Sequence, residues 1–255
     1  MKAIILGAGQ GKRLLPLTEA CPKCLLEVGG RPILQWQLEG LAANGVREAV
    51  IVTGFGADAV DAFVAGCPVP GIKVRTLHNP FYSVSDNLAS LFVARHELSG
   101  PFLILNGDTL FEPSVLGTVL AEASSPITVT IDRKASYDAD DMKVELNGTR
   151  VLAIGKGLPT DNVHGEAIGL HLFRVESNQP FLRSIEDALR GANGLRLWYL
   201  SAVNGLARLG LVGSVSIEGL SWCEIDSVAD LNNAQSFVPR LLQPLCVPTA
   251  KIAAS

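Results

Sequence analysis

The chain has 255 residues, 48% of them hydrophobic, with a formal net charge of −4. That length buries a full core, either as one large α/β domain or as a domain with a small appendage. The mild acidity and the lack of a basic block exclude the footprint of a nucleic-acid binder, and no run nears the roughly 20 apolar residues of a membrane helix.

The first apolar run, Lys2–Leu6, meets glycines too soon for a secretory leader and reads instead as a buried first strand. A soluble, cytoplasmic protein is the expectation. Pro32–Ala43 reads as a helix: Ile33, Leu34, Leu38 and Leu41 recur at helical spacing, proline suits the first turn, and Gly45 follows. Glu48–Thr53 is a strand, Ala57–Val64 a short helix and Val74–His78 a strand. Ser85 is placed as the cap of a helix running through Glu97. Phe102–Leu105 is a buried strand that runs into Asn106-Gly107-Asp108. This rhythm predicts a parallel-rich, doubly wound sheet.

The rhythm then changes. Ile127–Ile131 is a strand, and Met142–Leu146 and Arg150–Ile154 flank the hairpin signal Asn147-Gly148. Ala167–Phe173 is a strand, Ser184–Arg190 and Leu197–Leu209 look helical, and Ser214–Ile217 looks extended. Ser221–Ile225 is a last strand, followed by a closing helix over Val228–Val238. The tail from Pro239 lacks periodicity and reads as a disordered end or an interaction arm. The expected organisation is one domain over 1–238, with halves 1–125 and 126–238 divided where the rhythm changes, and a tail over 239–255.

Cys21, Cys24, Cys67, Cys223 and Cys246 make an odd count, which argues against a disulfide framework. Cys21-Pro-Lys-Cys24 fits a C-x-x-C pattern. No second pair completes a zinc site, so a redox centre is the reading this pattern leaves open.

The segment after the first strand is Leu6-Gly7-Ala8-Gly9-Gln10-Gly11-Lys12-Arg13-Leu14. Glycines there let backbone approach a ligand, and successive N–H groups can cradle phosphate. It is not a dinucleotide fingerprint, because Lys12 stands where the third glycine belongs, and not a P-loop, because Leu6 stands where that motif needs glycine. A tight strand-to-helix turn is the plain alternative. Two carboxylate groups lie at strand ends, Asp108 after one apolar run and Glu224 and Asp226 in Trp222-Cys223-Glu224-Ile225-Asp226. Hard oxygen ligands beside phosphate are what Mg²⁺ takes. Either group alone also suits a turn or cap.

Taken with Thr18 and Pro22-Lys23 downstream, the pattern A-G-x-G-x-R-L…T…P-K resembles the signature of the sugar-phosphate nucleotidyltransferase superfamily. The fold implied is a doubly wound, Rossmann-like mixed sheet with an inserted, β-rich acceptor part. The implied nucleotide site comprises Leu6, Ala8, Gly9, Gly11, Lys12, Arg13 and Lys23, with Ser85 and Asn87 as candidate base readers. The implied catalytic cations are Arg13, Lys23 and Lys156. The implied Mg²⁺ ligands are Asp108 and Asp226, with Glu224 as a third, and the implied acceptor site is Asp108, Lys143, Lys156 and Glu166. Lys12 departs from the family's usual Thr or Ser, and Asn106 replaces an optional carboxylate.

Within the superfamily, Asn79–Leu91 looks like a region of choline-phosphate cytidylyltransferases. Asp132-Arg133-Lys134, Asp140–Val144, Ile154–Leu158 and Gly165–Gly169 are similar to inositol-1-phosphate cytidylyltransferases, and the resemblance spans roughly 1–238. It implies CMP transfer from CTP to a small alcohol phosphate or phosphonate, with pyrophosphate released. A hexose-1-phosphate uridylyl- or thymidylyltransferase, and an inactive regulatory subunit of the same fold, stay open as alternatives, as does a homodimer.

Overall fold

The computed structural model describes residues 1–242. Cys246 and the tail expected beyond residue 242 lie outside them. The strands are β1 (Lys2–Gly7), β2 (Glu27–Val28), β3 (Arg31–Pro32), β4 (Glu48–Thr53), β5 (Lys73–His78), β6 (Phe102–Asn106), β7 (Thr109–Phe111), β8 (Ile127–Asp132), β9 (Lys143–Asn147), β10 (Arg150–Ile154), β11 (Gly165–Phe173), β12 (Val212–Ser216) and β13 (Trp222–Glu224). The helices are α1 (Ile33–Ala43), α2 (Ala57–Gly66), α3 (Asn87–Val93), α4 (Pro113–Glu122), α5 (Asn178–Arg190), α6 (Tyr199–Arg208), α7 (Val228–Ala234) and α8 (Val238–Leu241).

Nine strands form one mixed sheet in the order β5-β4-β1-β6-β11-β8-β12-β10-β9. Strands β5, β4, β1 and β6 are parallel; β11 runs antiparallel to β6 and to β8. The second half of the chain therefore extends the same sheet. Helices cover both faces, so β1 is apolar on both sides. Ala3 and Ile5 face one core, with Leu34, Leu38, Val60 and Val115. Ile4 faces the other, with Leu88, Leu91, Phe181 and Val203. Truncating one such side chain to alanine removes on the order of 2–5 kcal/mol of stability.

A third core sits under the glycine-rich turn: Leu14, Leu26, Val28, Ile33, Trp36, Leu110 and Ile225. It fastens that turn to the small antiparallel pair β7–β13.

Several boundaries differ from the sequence reading. The helix expected from Ser85 to Glu97 is shorter: α3 starts at Asn87 after Asp86, and Ser85 Oγ donates to the Phe81 carbonyl at 2.8 Å instead of capping. Helix α4 went unread, although Pro113 suits its first turn. The closing helix ends at Ala234, and α8 carries on into the segment read as tail. The Asn147-Gly148 hairpin joins β9 to β10, with Gly148 at φ 63°.

Candidate active site

The glycine-rich turn leaves β1 at the carboxyl edge of the sheet, where ligands bind in open α/β folds. Gly11 has φ 72°, and a Cβ there would come within 3.1–3.2 Å of the Lys23 stem. Glycine is thus required both by the backbone and by the lysine passing over it. Thr18, fully buried, donates from Oγ1 to the Gly11 carbonyl at 2.9 Å and holds the turn. At Gly9 an added Cβ would meet nothing within 4 Å, so its backbone faces open space.

Asp108 follows β6. A Cβ on Gly107 would lie 2.8 Å from the Leu6 carbonyl, so glycine lets the chain turn this close to β1. The register Glu224↔Thr109 and a bond from Ile225 N–H to the Asp108 carbonyl at 3.1 Å then bring Asp226 alongside. Lys23 Nζ lies 2.6 Å from Asp108 Oδ2 and 2.6 Å from Asp226 Oδ1. Arg13 Nη2 approaches Asp226 Oδ2 to 2.8 Å. Burial works to lower the Lys23 ammonium, but Asp108 and Asp226 outweigh it and hold it above the ordinary lysine range. Burial likewise works to raise Asp226, and Lys23 and Arg13 outweigh it, holding the carboxyl below its ordinary value.

Asp108 and Asp226 suit a hard divalent cation. Both carboxylates converge on one point charge, and Asp108 Oδ1 is buried with no partner among the described residues. Lys23 brings Asp108 and Asp226 together, and Glu224 stands beside them on the cavity wall; no three acidic, histidine or cysteine side chains among the described residues form a metal-sized group. Burial, reinforced by Asp108 and Asp226, pushes the Glu224 carboxyl up to about 8.

Beside this cluster opens a cavity of about 480 Å³ whose wall includes Arg13, Asn106, Asp140, Lys156, Glu166, Trp198, Tyr199, Glu224 and Asp226. Lys156 Nζ lies 4.7 Å from the Trp198 ring centroid and 3.4 Å from Asp140 Oδ1. The Asp140 carboxylate also stands 3.8 Å from Arg13, between the two cations assigned to phosphates. Glu166 Oε2 and Asp141 Oδ1 share the ammonium of Lys134, at 2.8 and 2.6 Å.

The structure thus places Arg13, Lys156, Glu166, Glu224 and Asp226 on one cavity wall, with Lys23 and Asp108 joined to it through the Lys23–Asp226 ion pair. Leu6 and Gly9 line a separate small cavity of about 50 Å³ with Lys23 and Asp108. Ala8 is buried and its carbonyl accepts from Phe55 N–H at 3.0 Å. Lys12 is exposed in the short helical turn after Gly11. Lys143 is not on the cavity wall: it is 3% exposed, and its Nζ donates to the Lys156 carbonyl at 2.8 Å, holding that backbone. Asn87 reaches the wall, where its Oδ1 accepts from Tyr199 N–H at 2.8 Å, while Ser85 is absent from it.

Three residues on the cavity wall, Tyr199, Asp138 and Asp140, carry no assignment from sequence. Tyr199 is 1% exposed and its hydroxyl has no partner among the described residues; burial, Glu224 and Asp108 hold it well above the ordinary phenol range. Asp138 and Asp140 belong to a D-A-D-D run whose density of acids was the available signal. Asp138 Oδ1 accepts from the Asp140 and Asp141 N–H groups, folding the run into a turn on the cavity rim. Cys21 and Cys24 are free thiols; Cys24 is buried, which pushes it up to about 12 and leaves little thiolate for redox work.

The fold and this cleft define a nucleotidyltransferase domain. Residues 3–202 match the family model of the MobA-like NTP transferase domain, and the chain belongs to that family. It is 34% identical over 249 residues to a CMP-5'-(3-aminopropyl)phosphonate synthase of Streptomyces rubellomurinus, covering 92% of this chain and 38% of that protein. It is 34% identical over 112 residues to the choline-phosphate cytidylyltransferase of Streptococcus pneumoniae, covering 44% of this chain and 47% of the other. The chain thus spans about half or less of the length of these curated relatives. The inositol-1-phosphate CTP transferase structure from T. maritima superposes with a TM-score of 0.79 at 22% identity, covering 96% of this chain and 97% of that one, and so shares the fold. No helix among the described residues is long and apolar enough to cross a membrane.

Proposed function

We propose that the chain transfers CMP from CTP to a compact alcohol phosphate or phosphonate, releasing pyrophosphate, with Mg²⁺ as cofactor. One observation carries this reading. Asp108 and Asp226 converge on Lys23 beneath the glycine-rich turn, where Arg13 borders a polar cavity that also holds Lys156. Support for CTP comes from the stretches Asn79–Leu91 and 143–169, which resemble cytidylyltransferases, and from relatives whose names denote CMP transfer.

The acceptor's anionic oxygen attacks the α-phosphorus; a new P–O bond forms, the bond to the β-phosphate oxygen breaks, and pyrophosphate leaves with the electron pair. The nucleophile is already ionised, so no general base is needed. The barrier is repulsion between two polyanions, which positioned cations lower. Arg13 and Lys23 face the triphosphate and the leaving pyrophosphate; Lys156, steadied by Trp198 and by the Lys143 contact to its carbonyl, faces the acceptor phosphate. Asp108 and Asp226 would hold Mg²⁺, whose chemistry there would be to neutralise phosphate charge.

The test is pyrophosphate release across four nucleoside triphosphates, each with inositol phosphate, glycerol phosphate, hydroxy- and aminoalkylphosphonates, phosphocholine and glucose-1-phosphate. CTP with a compact acceptor should be fastest. Equal or faster turnover with UTP or dTTP overturns the nucleotide assignment. A highest kcat/KM for glucose-1-phosphate overturns the acceptor assignment.

A further inference from the structure

The acceptor cavity has a strongly acidic wall, and its acids differ in how they are neutralised. Asp226 is held by Lys23 and Arg13, and Asp140 lies within reach of Lys156 and Arg13. Asp141 and Glu166 share one cation among the described residues, the Lys134 ammonium, 2.6 and 2.8 Å away. Their side chains are 7% and 13% exposed. Carboxylates this sheltered require a counter-charge.

The three side chains approach from different sides. Asp141 and Glu166 line the cavity. Lys134 instead lines an outer groove with Arg133, Tyr137 and His164, its side chain 38% exposed, and its head reaches through to the two acids. Its backbone N–H points to the Tyr137 hydroxyl at 3.5 Å, and its ammonium lies 5.8 Å from that ring. Asp141 is further fixed by the Asp138 N–H, which donates to its Oδ2 at 2.7 Å. Glu166 is fixed at the start of β11, in register with Asp132 of β8 and Lys143 of β9. Glu166 is anchored in a strand, and Asp141 is fixed by a turn bond within the β8–β9 connection that also carries Lys134, whose ammonium sits at the end of a flexible stem.

We propose that Asp141 and Glu166 form a monovalent-ammonium subsite on the acceptor cavity wall, and that Lys134 is its resident ammonium and a specificity-determining residue. The identity of the cavity as an acceptor pocket rests on the function proposed above; the ammonium subsite does not. With Lys134 in place the pair is satisfied from outside, and a cationic acceptor tail meets a neutralised wall. Without it, two sheltered carboxylates face the cavity and attract whatever small cation enters, an acceptor's own ammonium included.

Two measurements test this on the full chain. In the first, the thermal midpoints of wild type, Lys134→Ala and Lys134→Met are followed against methylammonium chloride, with tetramethylammonium chloride at equal ionic strength as control. Lys134→Ala leaves an ammonium-sized space and should be stabilised saturably by methylammonium alone. Lys134→Met, which also leaves the two acids uncompensated on the cavity side, should respond to methylammonium in the same direction, whereas wild type should respond equally to both salts. Identical responses in all three proteins overturn the subsite. In the second, kcat/KM for aminoethylphosphonate is divided by that for hydroxyethylphosphonate. The ratio should rise by about tenfold or more in Lys134→Ala and Lys134→Met, on the order of one charge pair gained, and stay near wild type in Lys134→Arg. An unchanged ratio overturns the specificity role, which a merely structural lysine would not move. If Lys134→Ala does not fold, the methionine and arginine variants carry the ratio test. A wild type that turns over neither acceptor contradicts the function reading, and the methylammonium titration then decides the subsite alone.

Discussion

The cleft contains two lysines, each clamped between two carboxylates, and they are built differently. Lys23 is 12% exposed, its stem lies over Gly11, and its turn is fixed by Thr18 and the third core. Lys134 is 38% exposed and hangs from the loop between β8 and β9, braced by Tyr137. The first stands at the carboxyl edge of the parallel strands, where backbone register sets the geometry. The second is placed by side chains touching side chains. Bond-making needs fixed atoms, whereas choosing an acceptor needs a wall that sequence changes can reshape without disturbing the sheet.

The largest effect that would sharpen this contrast falls on the Lys23 side. Asp108→Asn and Asp226→Asn should each lower turnover by at least ~100-fold with far-ultraviolet circular dichroism unchanged. Near-normal turnover in either variant removes that residue from the chemistry. Lys23→Ala should come next, weakening CTP binding and turnover together, since a charge-assisted contact contributes on the order of 1.5–3 kcal/mol. Lys134 variants should alter acceptor kinetics and spare KM for CTP. If Lys134→Ala damaged CTP binding as Lys23→Ala does, the two clamps would not be functionally distinct.

A third prediction concerns stability. Glu224 has a folded value of about 8 against an ordinary 4.5, so between those values the folded protein holds a proton that the unfolded chain has lost. Stability from this group therefore falls as pH rises through that window. Glu224→Gln should flatten the fall and, in the ligand-free protein at pH 8, raise stability by on the order of 1–3 kcal/mol in urea denaturation. A variant as pH-dependent as wild type would show that Glu224 is not the strained group. The smallest effects are expected at the thiols. Cys21→Ser and Cys24→Ser should leave turnover nearly unchanged, whereas loss of activity there with Lys23→Ala silent would revive the redox reading.

How much of this was legible in the sequence follows the same division. The parallel strands announce themselves as apolar runs, and the glycine-rich turn, Lys23, Asp108 and Asp226 lie at strand ends where spacing alone marks them. Lys143 was misleading, because its residue type suits a phosphate and nothing in the sequence reveals that it is 3% exposed and bonded to the Lys156 carbonyl. Ser85 looked like a helix cap, but Asp86 holds that position, one residue along. Glu224 sits two residues from Asp226, but only Asp108 and Asp226 of the three share the Lys23 ammonium among the described residues, a pairing that sequence spacing does not reveal. The Lys134 clamp joins a loop to a strand about thirty residues away, and no local periodicity encodes such a pairing.

The most direct test of CMP transfer is phosphorus NMR of the wild-type chain with CTP, Mg²⁺ and a hydroxy- or aminoalkylphosphonate. The account predicts a coupled pair of new resonances, from an anhydride joining the phosphonate to the CMP phosphorus, with pyrophosphate in equal amount. Unchanged CTP in that mixture, alongside nucleotide-sugar formation from UTP or dTTP and glucose-1-phosphate, would contradict it.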